Sequence, residues 1–284
     1  MAPVVHRTAE LTHATLHYVT AGQGGPLVLL HGWPQTWHCW RGVISALHED
    51  FQIIAPDLTG LGDSISKTGR FDKRSVAADI LELLVQELGH STFHLVGHDW
   101  GGAVAWAIAQ HFPGHAQTLT LVDIAIPGDG NADISAGGSR WHHGFHRTPG
   151  LPEQLVSGRE DIYLRWFYQH YGYTTNALSE DEMAEYVRCY SKPEVLRAGF
   201  EYYRSVDQDI QHNQERSRVY RPKLPILAIG GGSSWGRGSN VALSARQLAD
   251  DVTEVVIPES GHWIPEEQPD ELARQVREFC RTRV

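Results

Sequence analysis

The chain has 284 residues, 41% of them hydrophobic and 20% charged, enough for one large α/β domain with a sizeable core and an inserted subdomain. A formal net charge of −10 and a pI near 5.9, without a polybasic run, argue against nucleic acid or anionic lipid as partners and mildly disfavour anionic substrates. Three separated cysteines, Cys39, Cys189 and Cys280, lack metal-ligand spacing and read as free thiols in a reducing compartment.

In chain order, the segment Met1 to Arg7 has no apolar h-region, and no run reaches the roughly 20 apolar residues of a membrane helix, so a cytoplasmic protein is expected. Ala14–Gly22, Pro26–Gly32, Phe51–Asp57, Thr92–Asp99 and Leu119–Ile124 are apolar, β-branched runs that predict strands. Helical spacing falls between them at Trp40–His48, Lys73–Leu88 and Gly101–His111. This alternation predicts a mostly parallel sheet covered by helices on both faces. After Pro127 the alternation stops. Residues 128–221 are rich in Trp, Tyr, His and charge with helical spacing at Glu153–Tyr171, Glu180–Tyr190 and Pro193–Arg204. Strands resume at Leu224–Gly231 and Val252–Pro258, and an amphipathic helix closes the chain at about Pro269–Arg281. The expected organisation is a sheet core at 1–127 and 222–284 interrupted by a helical lid at 128–221, inserted at the strand edge where such sheets bind ligands.

The segment Leu95-Val96-Gly97-His98-Asp99-Trp100-Gly101-Gly102 reads as a sharp strand-to-helix turn with Asp99 at its tip. In the serine version of this turn a hydroxyl attacks an acyl carbon. A carboxylate instead displaces a leaving group from an sp³ carbon, forming an enzyme-bound alkyl ester that water must hydrolyse. Gly97, Gly101 and Gly102 permit the turn and the close strand-helix approach. His31-Gly32-Trp33-Pro34 ends the second strand, where the Trp33 amide can serve an oxyanion together with that of Trp100. The turn Pro56 to Ser64 reads as structural, with Asp57 and Asp63 suited to turn hydrogen bonds.

Of 17 histidines, His262 in Gly261-His262-Trp263 follows the last strand, in the chain order nucleophile, acid, histidine. The orienting acid could follow either of two strands. The run Gly230 to Gly238 holds no carboxylate and reads as a flexible loop, leaving Asp123, 24 residues beyond Asp99. The cluster His142, His143 and His146 lacks Cys or Asp at ligand spacing and reads as pocket-lining or solvated, so no metal is expected.

Together and in order, HGWP, PDLTGLGDS, GHDWGG, LVDIAIP and SGHWIPEEQP resemble the α/β-hydrolase epoxide hydrolases and the related haloalkane and haloacetate dehalogenases, over nearly the whole chain. The resemblance implies a helical cap and a two-step reaction without cofactor or metal. It assigns Asp99 as nucleophile, His262 as the base that activates water, Asp123 as its orienting acid, and the Trp33 and Trp100 amides as the oxyanion hole. Trp141-His142-His143 and Phe200-Glu201-Tyr202-Tyr203-Arg204 resemble bacterial epoxide hydrolases similar to the cystic fibrosis transmembrane conductance regulator inhibitory factor. That likeness makes His142 and Tyr203 the donors that open the epoxide ring, with Tyr202 or Tyr203 left open as the one pointing inward. His31, Trp100, Trp141, His143 and Trp263 are the expected substrate contacts. Fluoroacetate-type enzymes carry arginine after the nucleophile and tryptophan after the cap histidine, where this chain has Trp100 and His143. The expected activity is therefore conversion of a small-molecule epoxide to a vicinal diol. The alternatives are dehalogenation with the same Asp-His-Asp set, or a catalytically silent ligand receptor on the same fold. A homodimer is a family possibility.

Overall fold

The computed structural model describes residues 3–131 and 138–283; residues 1–2 of the amino-terminal segment and 132–137 of the expected insertion lie outside the described residues. The elements in chain order begin with β1 (Val5–Glu10), β2 (Ala14–Ala21), β3 (Gly25–Leu30), α1 (Arg41–Leu47), β4 (Phe51–Pro56) and the short β5 (Ile65–Ser66). There follow α2 (Lys73–Leu81), β6 (Phe93–His98), α3 (Trp100–His111) and β7 (Ala116–Val122). A helical stretch comes next: α4 (His142–Arg147), α5 (Leu151–Val156), α6 (Glu160–Tyr171), α7 (Glu180–Tyr190), α8 (Pro193–Arg204) and α9 (Val206–Ser217). The chain ends with β8 (Ile226–Gly231), α10 (Asn240–Leu248), β9 (Val252–Ile257), α11 (Ile264–Glu267) and α12 (Pro269–Arg281).

The described residues form a nine-stranded sheet in the order β1-β2-β4-β3-β6-β7-β8-β9, with β5 against β2. Pairing is antiparallel at β1-β2, β2-β4 and β2-β5, and parallel from β4 to β9. The central strands are the most apolar: Leu27 to Leu30 on β3 and Leu95 and Val96 on β6 are buried, as strands covered on both faces must be. β7 and β8 are hydrogen-bonded neighbours, Leu119 opposite Ile226, although about a hundred residues separate them in the chain.

Several elements differ from the sequence expectations. β1 reads VHRTAE, and its exposed edge position gives it little apolar signature. The expected helix at Glu153–Tyr171 is two helices, broken at Gly158, which adopts φ 77°. The helix from Lys73 widens after Leu81 to i→i+5 bonds, Leu88 N–H donating to the Leu83 carbonyl at 3.0 Å. The Gly230 to Gly238 loop, expected to be flexible, is crossed by backbone bonds, including Gly238 N–H to the Gly231 carbonyl at 2.9 Å. Asp57 performs the structural role expected of its turn: it accepts from the amides of Trp37 (2.8 Å) and Asp63 (3.0 Å) and lies 2.8 Å from His17 Nδ1. All three cysteines are buried and free, and no helix among the described residues is long and apolar enough to cross a membrane.

One buried ion pair fastens the helical stretch to the sheet domain. Lys73 of α2 directs Nζ to within 2.9 Å of Asp209 on α9, 3.2 Å from Ser205 Oγ and onto the Tyr202 carbonyl, while sitting 4.2 Å above the Trp100 ring. Both side chains are almost wholly enclosed. Burial pushes the lysine down and the aspartate up, and each charge opposes the shift of the other. Truncating one member of such a pair leaves a buried charge without a counter-ion. Lys73→Met is therefore expected to destabilise folding by about 3–5 kcal/mol in urea denaturation at neutral pH, and Lys73→Met with Asp209→Leu to recover most of the loss. A single variant as stable as the parent would show that the pair contributes nothing net.

Candidate active site

β6 delivers Asp99 to the carboxyl edge of the sheet in a conformation that few residues tolerate. Asp99 has φ 50° and ψ −126°, and α3 begins at the next residue. The turn is tight because its neighbours lack side chains: a Cβ on Gly101 would lie 2.2 Å from the Leu30 carbonyl oxygen, and one on Gly32 would lie 2.3 Å from Asp99 Cβ. Left-handed backbone at a non-glycine residue costs about 1–3 kcal/mol and persists only where its surroundings over-determine it.

Three strand ends bring the expected machinery together. His262, in the loop after β9, places Nε2 3.5 Å from Asp99 Oδ2, and its Nδ1 donates to Asp123 Oδ2 at 2.7 Å. Asp123 follows β7 with φ 49°. Its other oxygen accepts from the amides of Gly231 at 3.0 Å and Arg237 at 2.7 Å. The glycine-rich loop that lacks a carboxylate thus supplies the amides that hold the carboxylate of the neighbouring strand. The Trp33 amide donates to Asp99 Oδ1 at 3.0 Å. The Trp100 amide opens α3, where a helix leaves its first N–H groups without intrahelical acceptors.

Electrostatics separate the titrating groups. Burial would raise the Asp99 carboxyl, but the hydrogen bond and charge of His262 and the Trp33 amide outweigh it and hold the group far below the usual carboxylate range. Burial works against a charged His262, yet its bonds to Asp123 and Asp99 raise it above the ordinary imidazole value. His98, enclosed and pushed down to about 4 by burial, donates from Nε2 to the His262 carbonyl at 2.8 Å, while its Nδ1 lies 2.8 Å from the Gln35 side-chain amide. It is a positioning residue that the sequence reading missed.

Above these groups lies a cavity of about 500 Å³ lined by both parts of the chain. Trp33, Trp100, His142, His143, Tyr203 and Trp263 all contribute to its wall together with Asp99 and His262. Tyr203 sets its ring edge-on to Trp100, with centroids 5.0 Å apart, whereas Tyr202 turns away and donates to the Thr59 carbonyl at 3.1 Å. Tyr203 is thus the tyrosine that lines the cavity. Burial raises its phenol well above the ordinary value and lowers His142 well below, so at neutral pH both are uncharged proton carriers. Tyr171, unsingled in the sequence, places its hydroxyl 3.1 Å from His142 Nδ1 and so fixes the orientation of that ring. The Tyr171 carbonyl also accepts from the His262 amide at 2.8 Å.

Two expected substrate contacts do not reach the cavity. His31 is fully enclosed, donating from Nδ1 to the Gly32 carbonyl at 2.9 Å and accepting the Leu58 amide on Nε2 at 3.0 Å. It braces the loop that presents Trp33. Trp141 is 42% exposed and packs on Trp166 and Phe167 with centroids 5.4 and 5.7 Å away, on the outside of α4.

The chain belongs to the α/β hydrolase fold family, whose profile matches residues 25–269. It is 38% identical over 277 residues, 94% of this chain and 93% of the other, to a soluble epoxide hydrolase of Corynebacterium sp. strain C12. A fluoroacetate dehalogenase of Burkholderia sp. is 28% identical over 286 residues, 96% of this chain and 92% of the other. The crystal structure of wild-type Cfl2 from Burkholderia cenocepacia superposes with a TM-score of 0.90 at 35% identity, covering 96% of this chain and 95% of that one.

Proposed function

We propose that this hydrolase opens epoxides to vicinal diols through an ester on Asp99. The observation that carries the reading is the pairing, across one cavity, of an ionised carboxylate at the elbow with two neutral proton donors, Tyr203 and His142. A halide leaves as a stable anion, whereas an epoxide oxygen leaves as an alkoxide and needs a proton. The donors meet that need.

In the first step an Asp99 oxygen attacks the less hindered ring carbon, the carbon–oxygen bond breaks, and the oxygen takes a proton from the Tyr203–His142 pair. In the second, His262 removes a proton from water as it adds to the Asp99 carboxyl carbon. The Trp33 and Trp100 amides stabilise the resulting oxyanion. Collapse expels the diol oxygen, which takes the proton from His262; the second proton of the water leaves the regenerated Asp99 carboxyl and returns to the Tyr203–His142 pair, restoring both the carboxylate and the donors. Asp123 keeps the imidazole oriented and stabilises its cation. Residues 128–221 act as the lid that excludes bulk water.

With 1,2-epoxyhexane and chloroacetate offered separately, wild-type protein is expected to form hexane-1,2-diol and to release no chloride. Chloride release without diol would move the chain to the dehalogenase reading, which its fluoroacetate-dehalogenase relative represents. Tyr203→Phe is expected to slow ester formation by about 10²-fold, read by rapid quench, and ester hydrolysis far less. Equal loss in both steps would remove Tyr203 as ring opener.

A further inference from the structure

Two guanidinium groups line the same cavity without a task in the reaction above: Arg140, just before α4, and Arg237, in the loop after β8. Most arginines of this acidic chain sit against carboxylates, as Arg41 does against Glu182, Arg188 against Asp63, Arg204 against Glu153 and Arg274 against Glu271. Among the described residues, neither Arg140 nor Arg237 has a carboxylate within 4.0 Å. Arg140 is 6% exposed and spends one N–H on the Trp235 carbonyl at 2.8 Å, flanked by the rings of Tyr171 and Trp235. The Nε of Arg237 is shut from solvent and finds no acceptor among the described residues. Burial first, and then the like charge of Arg140, brings the Arg237 guanidinium down to about 10, so it remains a cation at neutral pH.

Two cations sharing an enclosed wall repel each other, and an enclosed guanidinium N–H without an acceptor carries a cost that an anionic ligand would relieve. The planar fork of arginine matches a carboxylate. The remaining charges around the cavity fit such a ligand. Among the described residues its lining carboxylates are Asp99 and Asp129, and His142 and His143 are kept neutral by burial. Arg140 and Arg237 therefore offset the negative charge of the nucleophile that an anionic substrate would meet on entry. When Asp99 becomes a neutral ester, the cavity gains net positive charge and holds the anionic end more firmly during the water step. The surface charge of −10 does not decide this, because counter-ions screen it and the cavity wall is a separate environment.

Resting on the epoxide reading, we infer that the substrate is an epoxide bearing a carboxylate, gripped by Arg140 and Arg237 while Asp99 attacks the ring. The test compares 5,6-epoxyhexanoate with 5,6-epoxyhexanamide, which differ in charge and little in shape. The acid is expected to show at least tenfold higher kcat/KM, carried by KM, and Arg140→Gln and Arg237→Gln each to bring the acid-to-amide ratio close to one. An amide turned over as well as the acid by wild-type protein overturns the carboxylate assignment and leaves the epoxide reading standing. Turnover of neither overturns the epoxide reading. Calorimetry with hexanoate and hexanamide then judges the arginine site by itself: binding of hexanoate alone, lost in Arg237→Gln, sustains it, and no discrimination ends it.

Discussion

Asp99→Ala is expected to lower turnover by about 10⁴-fold or more, to the limit set by contaminating activity, with the protein still folded. Among the described residues no other carboxylate is placed to take over: Asp123 is committed to His262 and two backbone amides, and Asp99 is the carboxylate on the Trp33 amide. Stability should separate the two replacements. Both lose the His262 and Trp33 interactions that favour the ionised carboxylate, but Asp99→Gly also relieves the left-handed backbone, so the glycine variant is expected to unfold at higher urea than Asp99→Ala. Steady-state assay and urea titration of both variants check the two halves. Residual turnover within tenfold of wild type would exclude an ester at this position.

His262→Gln is expected to stop the cycle after its first half. The variant keeps Asp99 and the ring-opening donors, so it should gain the whole mass of one epoxide per chain and hold it, while multiple turnovers fall by about 10³-fold or more. Intact-mass spectrometry with peptide mapping to Asp99 reads the result; catalytic diol release at the wild-type rate would sink the role. The same histidine predicts a split pH dependence. In the free enzyme it lies between two carboxylates and its pKa is raised. Once Asp99 is esterified one of those charges is gone, the pKa falls, and the ring becomes available as a base. Ester hydrolysis should therefore decline as pH drops through the value of the esterified form. Ester formation needs only ionised Asp99, whose pKa is held far lower, and should stay level over that range. Rapid-quench measurement of both steps from about pH 5 to 8, which spans the ordinary imidazole value, separates them.

The parallel strands were legible because a strand covered on both faces is largely apolar, as β3 and β8 are, and β6 carries Leu95 and Val96 at its centre. β1 was not, lying exposed at the edge with alternating polar residues. α9, VDQDIQHNQERS, was missed because its face toward the sheet domain is held by polar groups, Asp209 on Lys73 and Asn213 on the Pro127 carbonyl, rather than by apolar side chains. In the site, Asp99 and His262 could be read because each follows a strand beside glycine, and Asp123 because it follows a strand while the other candidate loop holds no carboxylate. Tyr171, Arg140 and Arg237 could not. Their side chains converge only when the loop after β8 and the helical stretch before it meet over the sheet edge, and no local spacing marks that. His31 was misplaced for a related reason: proximity in sequence to Trp33 does not say which of two adjacent residues faces outward from the loop.

Because β7 and β8 are adjacent strands, the long helical excursion leaves and rejoins the sheet at a single seam, with Asp123 on one lip and the amides of Gly231 and Arg237 on the other. Its ends are joined by the ladder whatever lies between them, so lengthening, shortening or exchanging the excursion need not disturb strand register. The nucleophile, base and acid all lie outside it, whereas His142 and Tyr203 lie within it. In the proposed reaction, attack and departure are thus written in separable stretches of one gene. An inherited change confined to the excursion can alter which leaving group is accepted while the ester chemistry beneath it stays intact.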